Sequence, residues 1–171
     1  MTARILVVLT LALAGGCDLH PPSPPCRVAD PQPDYHANAG CVILADNHVL
    51  VLTHRRHRKG GKLGIPGGAQ EGDESAQCTA HRETWEETGL DVRVGEMLGR
   101  MRYGFTLYRC HTDETMDPEE KPGLPWYARA EMADASWMRP AEIPLERWRY
   151  AEQSQAFLKL IGRALDEPSS Q

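Results

Sequence analysis

The sequence has no surplus of positive charge: 19 Lys and Arg stand against 24 Asp and Glu, for a formal net charge of -5 and a pI near 5.8. Broad nucleic-acid binding rests on a basic surface that neutralises phosphates, so nucleic acid is not an expected partner. An apolar run long enough to cross a bilayer is also missing. Residues 5–14 are uncharged and apolar over about ten positions, against the roughly 20 that a spanning helix needs. No two of the five cysteines stand at close C-x-x-C spacing, which makes a structural zinc the weaker account of them. There is no internal repeat, and 171 residues leave no room for a second folded domain. With 41% hydrophobic and 25% charged residues, the chain has the composition of one ordinary globular domain with a sizeable core.

Residues 1–16, with Arg4 ahead of the short apolar run, read as a signal peptide. They lead into Ala14-Gly15-Gly16-Cys17, where small residues precede a cysteine. This resembles the lipobox of bacterial lipoproteins, although Ala14 stands where leucine is usual. A plain secretory signal cleaved nearby, or a start codon assigned too far upstream, are the alternatives. The resemblance implies lipidation at Cys17, a membrane partner through that anchor, and a place in the cell envelope facing the periplasm. Asp18 beside it favours the inner membrane, by analogy with sorting in enteric bacteria. Residues 17–35 carry prolines at 21, 22, 24, 25, 31 and 33, which favours an extended tether over packing. The other cysteines, Cys26, Cys41, Cys78 and Cys110, are even in number in a chain bound for an oxidising compartment. One or two disulfides are expected, three pairings are open, and buried free thiols are the alternative.

From residue 39 the pattern changes. Residues 41–44 and 49–52 are apolar and rich in β-branched side chains, and the turn-forming Ala45-Asp46-Asn47-His48 between them predicts a hairpin. Residues 54–59 are basic, and 60–68 are glycine-rich and mostly loop. A helix is predicted over 74–88, with Asp73 or Ser75 as N-cap and Gly89 ending it. Residues 92–94, 103–110 and 135–138 read as strands, with a mobile acidic and proline-bearing loop at 113–125. From Pro140 a closing helix is predicted, presenting Trp148, Ala151, Leu158, Ile161 and Leu165 to the core. Strands and helices interleave without regular βαβ units, so the fold class is α+β, a mixed sheet between helices. The domain spans 36–166, and 167–171 form a disordered tail.

The chemistry concentrates in the predicted helix. Glu83, Glu86 and Glu87 stand at i, i+3 and i+4, so three carboxylates share one face within a turn. Such a face repels itself. A structural surface helix would usually place a cation four residues after a Glu, yet Glu83 is followed by Glu87 and Glu86 by Leu90. A hard divalent cation, which takes oxygen ligands, would relieve the repulsion. Arg82 is placed to pair with Glu86 or to orient a neighbouring carboxylate.

The stretch from Gly68 to Leu90 resembles the Nudix box, G-x5-E-x7-R-E-U-x-E-E-x-G-U with U aliphatic, at Gly68, Glu74, Arg82, Glu83, Glu86, Glu87, Gly89 and Leu90. Thr84 departs from the first aliphatic position. The resemblance implies an α/β/α sandwich with a mixed β-sheet, and hydrolysis of a diphosphate linkage in a small molecule. Mg2+ or Mn2+ would be held by the Gly68 carbonyl with Glu83, Glu86 and Glu87, with Arg82 orienting Glu83 and Glu74 in support. Glutamates outside the box often join the chemistry in this family. Glu131 is the candidate, with Glu114, Glu119 and Glu120 as competitors. Arg55 and Arg58, in the basic run before the glycine loop, either reach substrate phosphates or form a solvated hairpin end. Tyr108 resembles a tyrosine position of dinucleoside polyphosphate hydrolases, or is simply core. Family members are often dimers, so the resemblance also leaves a homodimer open. The cysteine pattern resembles the Nudix part of bacterial proteins fused to a phosphatidic-acid-phosphatase-type membrane domain, a hint toward envelope substrates. A non-catalytic, membrane-tethered ligand-binding module is the alternative function.

Overall fold

The computed structural model describes residues 21–33, 36–55 and 61–166. The expected signal segment, Cys17, Arg58 and the tail at 167–171 lie outside those residues.

Strands β1 (Ala39–Ala45) and β2 (His48–His54) form the expected hairpin, with Leu44 facing Val49 and Ala45 facing His48. Its tight turn puts Asp46 at φ 49°, a left-handed conformation that Asp tolerates better than most side chains. The glycine-rich segment expected to be mostly loop contains two short strands. Of these, β3 (Lys62–Gly64) pairs with β2, and β4 (Gly67–Gly68) pairs with the start of β1. Two glycines carry no side chains to alternate, so their strand pairing leaves no periodic signal.

Helix α1 (Ala76–Thr88) is followed by β5 (Arg93–Arg100), β6 (Thr106–His111) and β7 (Met132–Met138). The sheet runs β3-β2-β1-β6-β5, with β7 beside β2. It is mixed because β1 and β6 run parallel, whereas every other named strand pair is antiparallel. Both faces are covered. Cys41, Ile43, Leu50, Leu52 and Tyr108 point into the core under α1. Their neighbours Val42, Val49, Val51 and Leu107 point to the other face, where Phe157 and Ile161 of α2 (Ser154–Asp166) close it. Period-two strands between two helices account for the α/β/α sandwich.

Two elements start later than expected. Tyr103 is outside β6, in a 3-10 turn over Arg102–Gly104 with φ 65°, and the strand starts at Thr106. The closing helix starts at Ser154, not Pro140, because Pro140 and Pro144 break the chain into 3-10 turns first. Trp148 still reaches the core, bridged to Leu63, while Ala151 is exposed.

The largest departure concerns the proline-rich segment. Its second half is packed on the domain: Cys26 is disulfide-bonded to Cys78 of α1, and Val28 bridges to Val94 of β5. The Val94 N–H donates to the Arg27 carbonyl at 2.9 Å, the Ala29 N–H to the Val94 carbonyl at 2.8 Å, and the Gln32 N–H to Gln77 Oε1 at 3.0 Å. Arg27 pairs with Asp91 and Asp113. Over residues 26–32 the expected free tether is instead a strap that lies along the edge of the sheet and the start of α1. Proline content alone misses it, since proline needs no ladder donor to lie on an edge. The second disulfide, Cys41 to Cys110, joins the parallel neighbours β1 and β6.

Candidate active site

Helix α1 is nucleated by Ser75, whose hydroxyl accepts the Cys78 N–H at 3.3 Å, and is ended by Gly89 at φ 76°. Its buried face is made of small residues, Ala76, Ala80 and Thr84, which lets it lie close on the sheet. Thr84, the departure from the aliphatic pattern, is fully buried and donates its hydroxyl to the Ala80 carbonyl at 2.7 Å. The polar atom is satisfied inside the helix, so packing is kept.

Glu74 lies just ahead of the helix and knits it to the preceding loop. Its carboxylate accepts the Glu71 N–H at 2.9 Å, the Thr79 hydroxyl at 3.1 Å and Arg82 Nη2 at 2.8 Å. Arg82 spreads its guanidinium over the whole cluster. Nη1 reaches Glu83 at 3.1 Å and Glu86 at 3.0 Å, and Nη2 reaches the Ala69 carbonyl at 2.7 Å. It thus orients Glu83 and Glu86 together. Replacing Arg82 with Met is expected to destabilise the domain by about 2 kcal/mol near neutral pH, because three half-buried carboxylates lose their shared donor. A urea midpoint within error of wild type would rule that out.

Two glycines bring the loop onto the helix. Gly67 runs against the backbone of Ala39 and Gly40, leaving no room for a Cβ, and its N–H donates to Glu87 Oε2 at 2.8 Å. At Gly68 a Cβ would collide with the Glu83 carboxyl, so only glycine lets the loop carbonyls and that carboxylate share one space.

The charges are held at a cost. Burial raises Glu83 to about 7, with Arg82 opposing and Glu86 adding to the rise. Glu87 is pushed well above the usual carboxylate range by burial, against the Gly67 N–H, with Glu83 and Glu131 raising it and Arg149 lowering it. Burial would also raise Glu74, but the hydrogen bonds from Arg82 and the Glu71 N–H outweigh it, and Glu74 stays below its ordinary value. Arg82, despite burial, is held fully protonated by its three partners.

Glu131 follows a 3-10 turn at Ala128–Ala130 and precedes β7. It lines a cavity of about 520 Å3 with Glu83, Glu86, Glu87 and Arg82. Its carbonyl accepts the Arg55 backbone N–H at 2.7 Å, which sets exposed Arg55 beside Glu131, although Arg55 does not line the cavity. Of the competitors, Glu114 and Glu120 line a separate cavity beside Leu50 and Trp137. Of the two readings of Tyr108, the structure fits the core one: it is fully buried under α1 and packs there.

Sequence reasoning missed Arg149 and Gln153. A cleft of about 270 Å3 opens from Gly67 and Gly68 between Phe105, Trp148 and Phe157, and both polar residues line it. Arg149 Nε and Gln153 Oε1 are buried there without a hydrogen-bond partner. Nothing near the box points to them, since they lie in a segment whose apolar spacing reads only as core.

The donor set is the one a divalent cation would have to use. Among the described residues, no three His, Cys, Asp or Glu side chains are already gathered around one point. Glu86 is drawn to Arg82 and Glu87 to the Gly67 N–H, so their oxygens face different partners. The chemistry of the set nevertheless fits a hard cation. It is all oxygen, it is acidic beyond what Arg82 neutralises, and burial has already raised two of its carboxylates.

A carboxylate-bearing helix laid against a glycine loop, inside an α/β/α sandwich, defines the class. The NUDIX domain model matches residues 34–160, most of the chain, and the chain belongs to that family. It is 31% identical to the NAD-capped RNA hydrolase NudC of Vibrio vulnificus (strain CMCP6), over 61% of this chain and 40% of that protein. A MutT-like protein of Streptomyces ambofaciens is 35% identical, over 61% of this chain and 64% of that one. The chain thus spans less than two thirds of the length of these relatives. In fold it resembles a NUDIX hydrolase from Nitrosomonas europaea, with a TM-score of 0.58 and 21% identity over 80% of this chain and 77% of that one. An ADP-ribose pyrophosphatase from Streptococcus suis 89-1591 gives 0.55 and 18%, over 78% and 94%.

Proposed function

We propose that the protein is a Mg2+- or Mn2+-dependent hydrolase of a diphosphate linkage in a small, nucleoside-diphosphate-linked substrate of the cell envelope, held there by a lipid on Cys17. The observation that carries the reading is the convergence of Glu83, Glu86, Glu87 and Glu131 on one cavity, from two separate parts of the chain. Glu83, Glu86, Glu87 and the Gly68 carbonyl would hold the cation, which when bound would supply neutralisation of phosphate charge and a more acidic attacking water. Arg82 keeps the carboxylates aimed. Glu131, at the rim, takes the proton as the water oxygen bonds to phosphorus and the bridging P–O bond breaks. Arg149 meets phosphate charge, and the cleft of Phe105, Trp148 and Gln153 seats the nucleoside end, where a base N–H can satisfy Gln153 Oε1.

The test is a screen of ADP, ADP-ribose, UDP-glucose and farnesyl diphosphate with each metal, following release of the product phosphates. Turnover of none of the four would sink the hydrolase reading. Glu131→Gln is expected to lower turnover and change its pH dependence; a wild-type profile across pH removes Glu131 from the mechanism. A second reading, a ligand-binding module without turnover, draws on Arg82 already neutralising part of the cluster. Metal-dependent binding of ADP-ribose without product would favour it.

A further inference from the structure

The strap that departs from the expected tether reaches the catalytic face. Pro21, Pro22 and Ser23 line the same cavity as Glu83, Glu86, Glu87 and Glu131. Pro21 and Ser23 are half-buried, whereas Cys26 itself is exposed. The path is consistent in length. From Cys26 back to Pro21, five residues of extended chain cover about 15 Å, and from Cys78 to Glu86 along α1 eight residues rise about 12 Å. The strap therefore runs along the helix from its disulfide to its acidic face. Beyond Cys26 it is fixed by the Arg27, Val28 and Ala29 contacts to β5, so the disulfide is its last attachment before the cavity.

We infer that residues 21–23 are a wall of the catalytic cavity that contacts the part of the substrate beyond its diphosphate, and that the Cys26–Cys78 disulfide is the positioning element that holds this wall in place. The inference rests on the proposed hydrolytic function. The chemistry of the wall suits that task. It is neutral, so it adds no repulsion toward phosphate, and two prolines present an apolar surface that loses little freedom on contact. In a cavity otherwise lined mainly by carboxylates, it supplies a face for a sugar or an isoprenoid, on the side of the diphosphate away from the nucleoside cleft.

The experiment uses the full chain with both disulfides formed, Mg2+, and the four diphosphates above as probes. One variant combines Cys26→Ser with Cys78→Ser; the other combines P21G, P22G and S23G and keeps the disulfide. The expected result is a KM at least fivefold higher in both, with a smaller change in kcat, for whichever probe the parent turns over. A parent that turns over none of the probes overturns the hydrolase reading and this inference with it. An active parent whose variants keep KM within twofold overturns this inference alone. If the serine variant does not fold, the glycine variant decides, since its disulfide and strand contacts are intact.

Discussion

Glu87→Gln is expected to lower kcat/KM about 10³-fold, equivalent to about 4 kcal/mol of transition-state stabilisation, while leaving the protein as stable as wild type or more so at pH 8. Both halves follow from one arrangement. The amide oxygen can still accept the Gly67 N–H that Glu87 accepts at 2.8 Å, so the loop stays attached. What is lost is a buried negative charge. Glu87 is 7% exposed, and burial pushes its proton affinity well above the usual range. A carboxyl whose folded pKa is raised binds its proton more tightly in the native state. Stability in the metal-free protein therefore falls as pH rises above the unfolded carboxylate value of about 4.3. Glu83, raised to about 7, adds to that fall up to about that pH. The Gln variant escapes its share. Thermal midpoints at pH 5 and pH 8 without metal, beside steady-state kinetics with Mg2+, read both parts. A midpoint at pH 8 well below wild type would mean that Glu87 is structural and that the activity loss says nothing about metal binding.

Removing the buried disulfide is expected to have the largest effect on stability. Cys41 and Cys110 are 0% and 3% exposed and tie the parallel pair β1 and β6 across 69 residues of sequence. Chain entropy alone assigns a closed loop of that length about 4 kcal/mol. The Cys26–Cys78 bridge, across 52 residues, has nearly the same entropic value because the dependence is logarithmic. The difference lies in what surrounds them. Cys41→Ala with Cys110→Ala opens space in a packed interior, whereas the Cys26 end of the other bridge faces solvent. The buried pair should lower Tm by about 8–16 °C for a domain of this size, and the exposed pair by less. Native reduction should open Cys26–Cys78 first. Mass spectrometry of the alkylated protein after graded dithiothreitol treatment reads that order, and preferential opening of Cys41–Cys110 would contradict it.

Much of the site was legible because its chemistry is local. Three carboxylates at i, i+3 and i+4, a cap serine and a terminal glycine all lie within one helix, and the structure places them as the spacing predicts. The hairpin was legible for the same reason, as two apolar runs around a two-residue turn. Glu131 was reached only through family resemblance, since nothing near it in sequence says that it faces Glu87. Arg149 and Gln153 gave no signal, because their place depends on how 3-10 turns after Pro140 fold back over the sheet. For Tyr108 the sequence left a substrate position and a core position open, and burial favours the second: in a strand buried on both faces, an inward tyrosine is core. The strap was misread because composition reports what a segment can do alone, and its partners, Cys78 and Val94, are more than fifty residues away.

That strap also acts as a ruler. Pro21 is at the cavity, and on the proposed anchoring the lipidated residue is Cys17, four positions upstream. Four residues extend at most about 14 Å. An enzyme anchored in that way would be leashed too closely to turn its catalytic face to the surrounding fluid. It would work with its mouth against the lipid headgroups, and the substrates within reach would be those delivered along the bilayer surface.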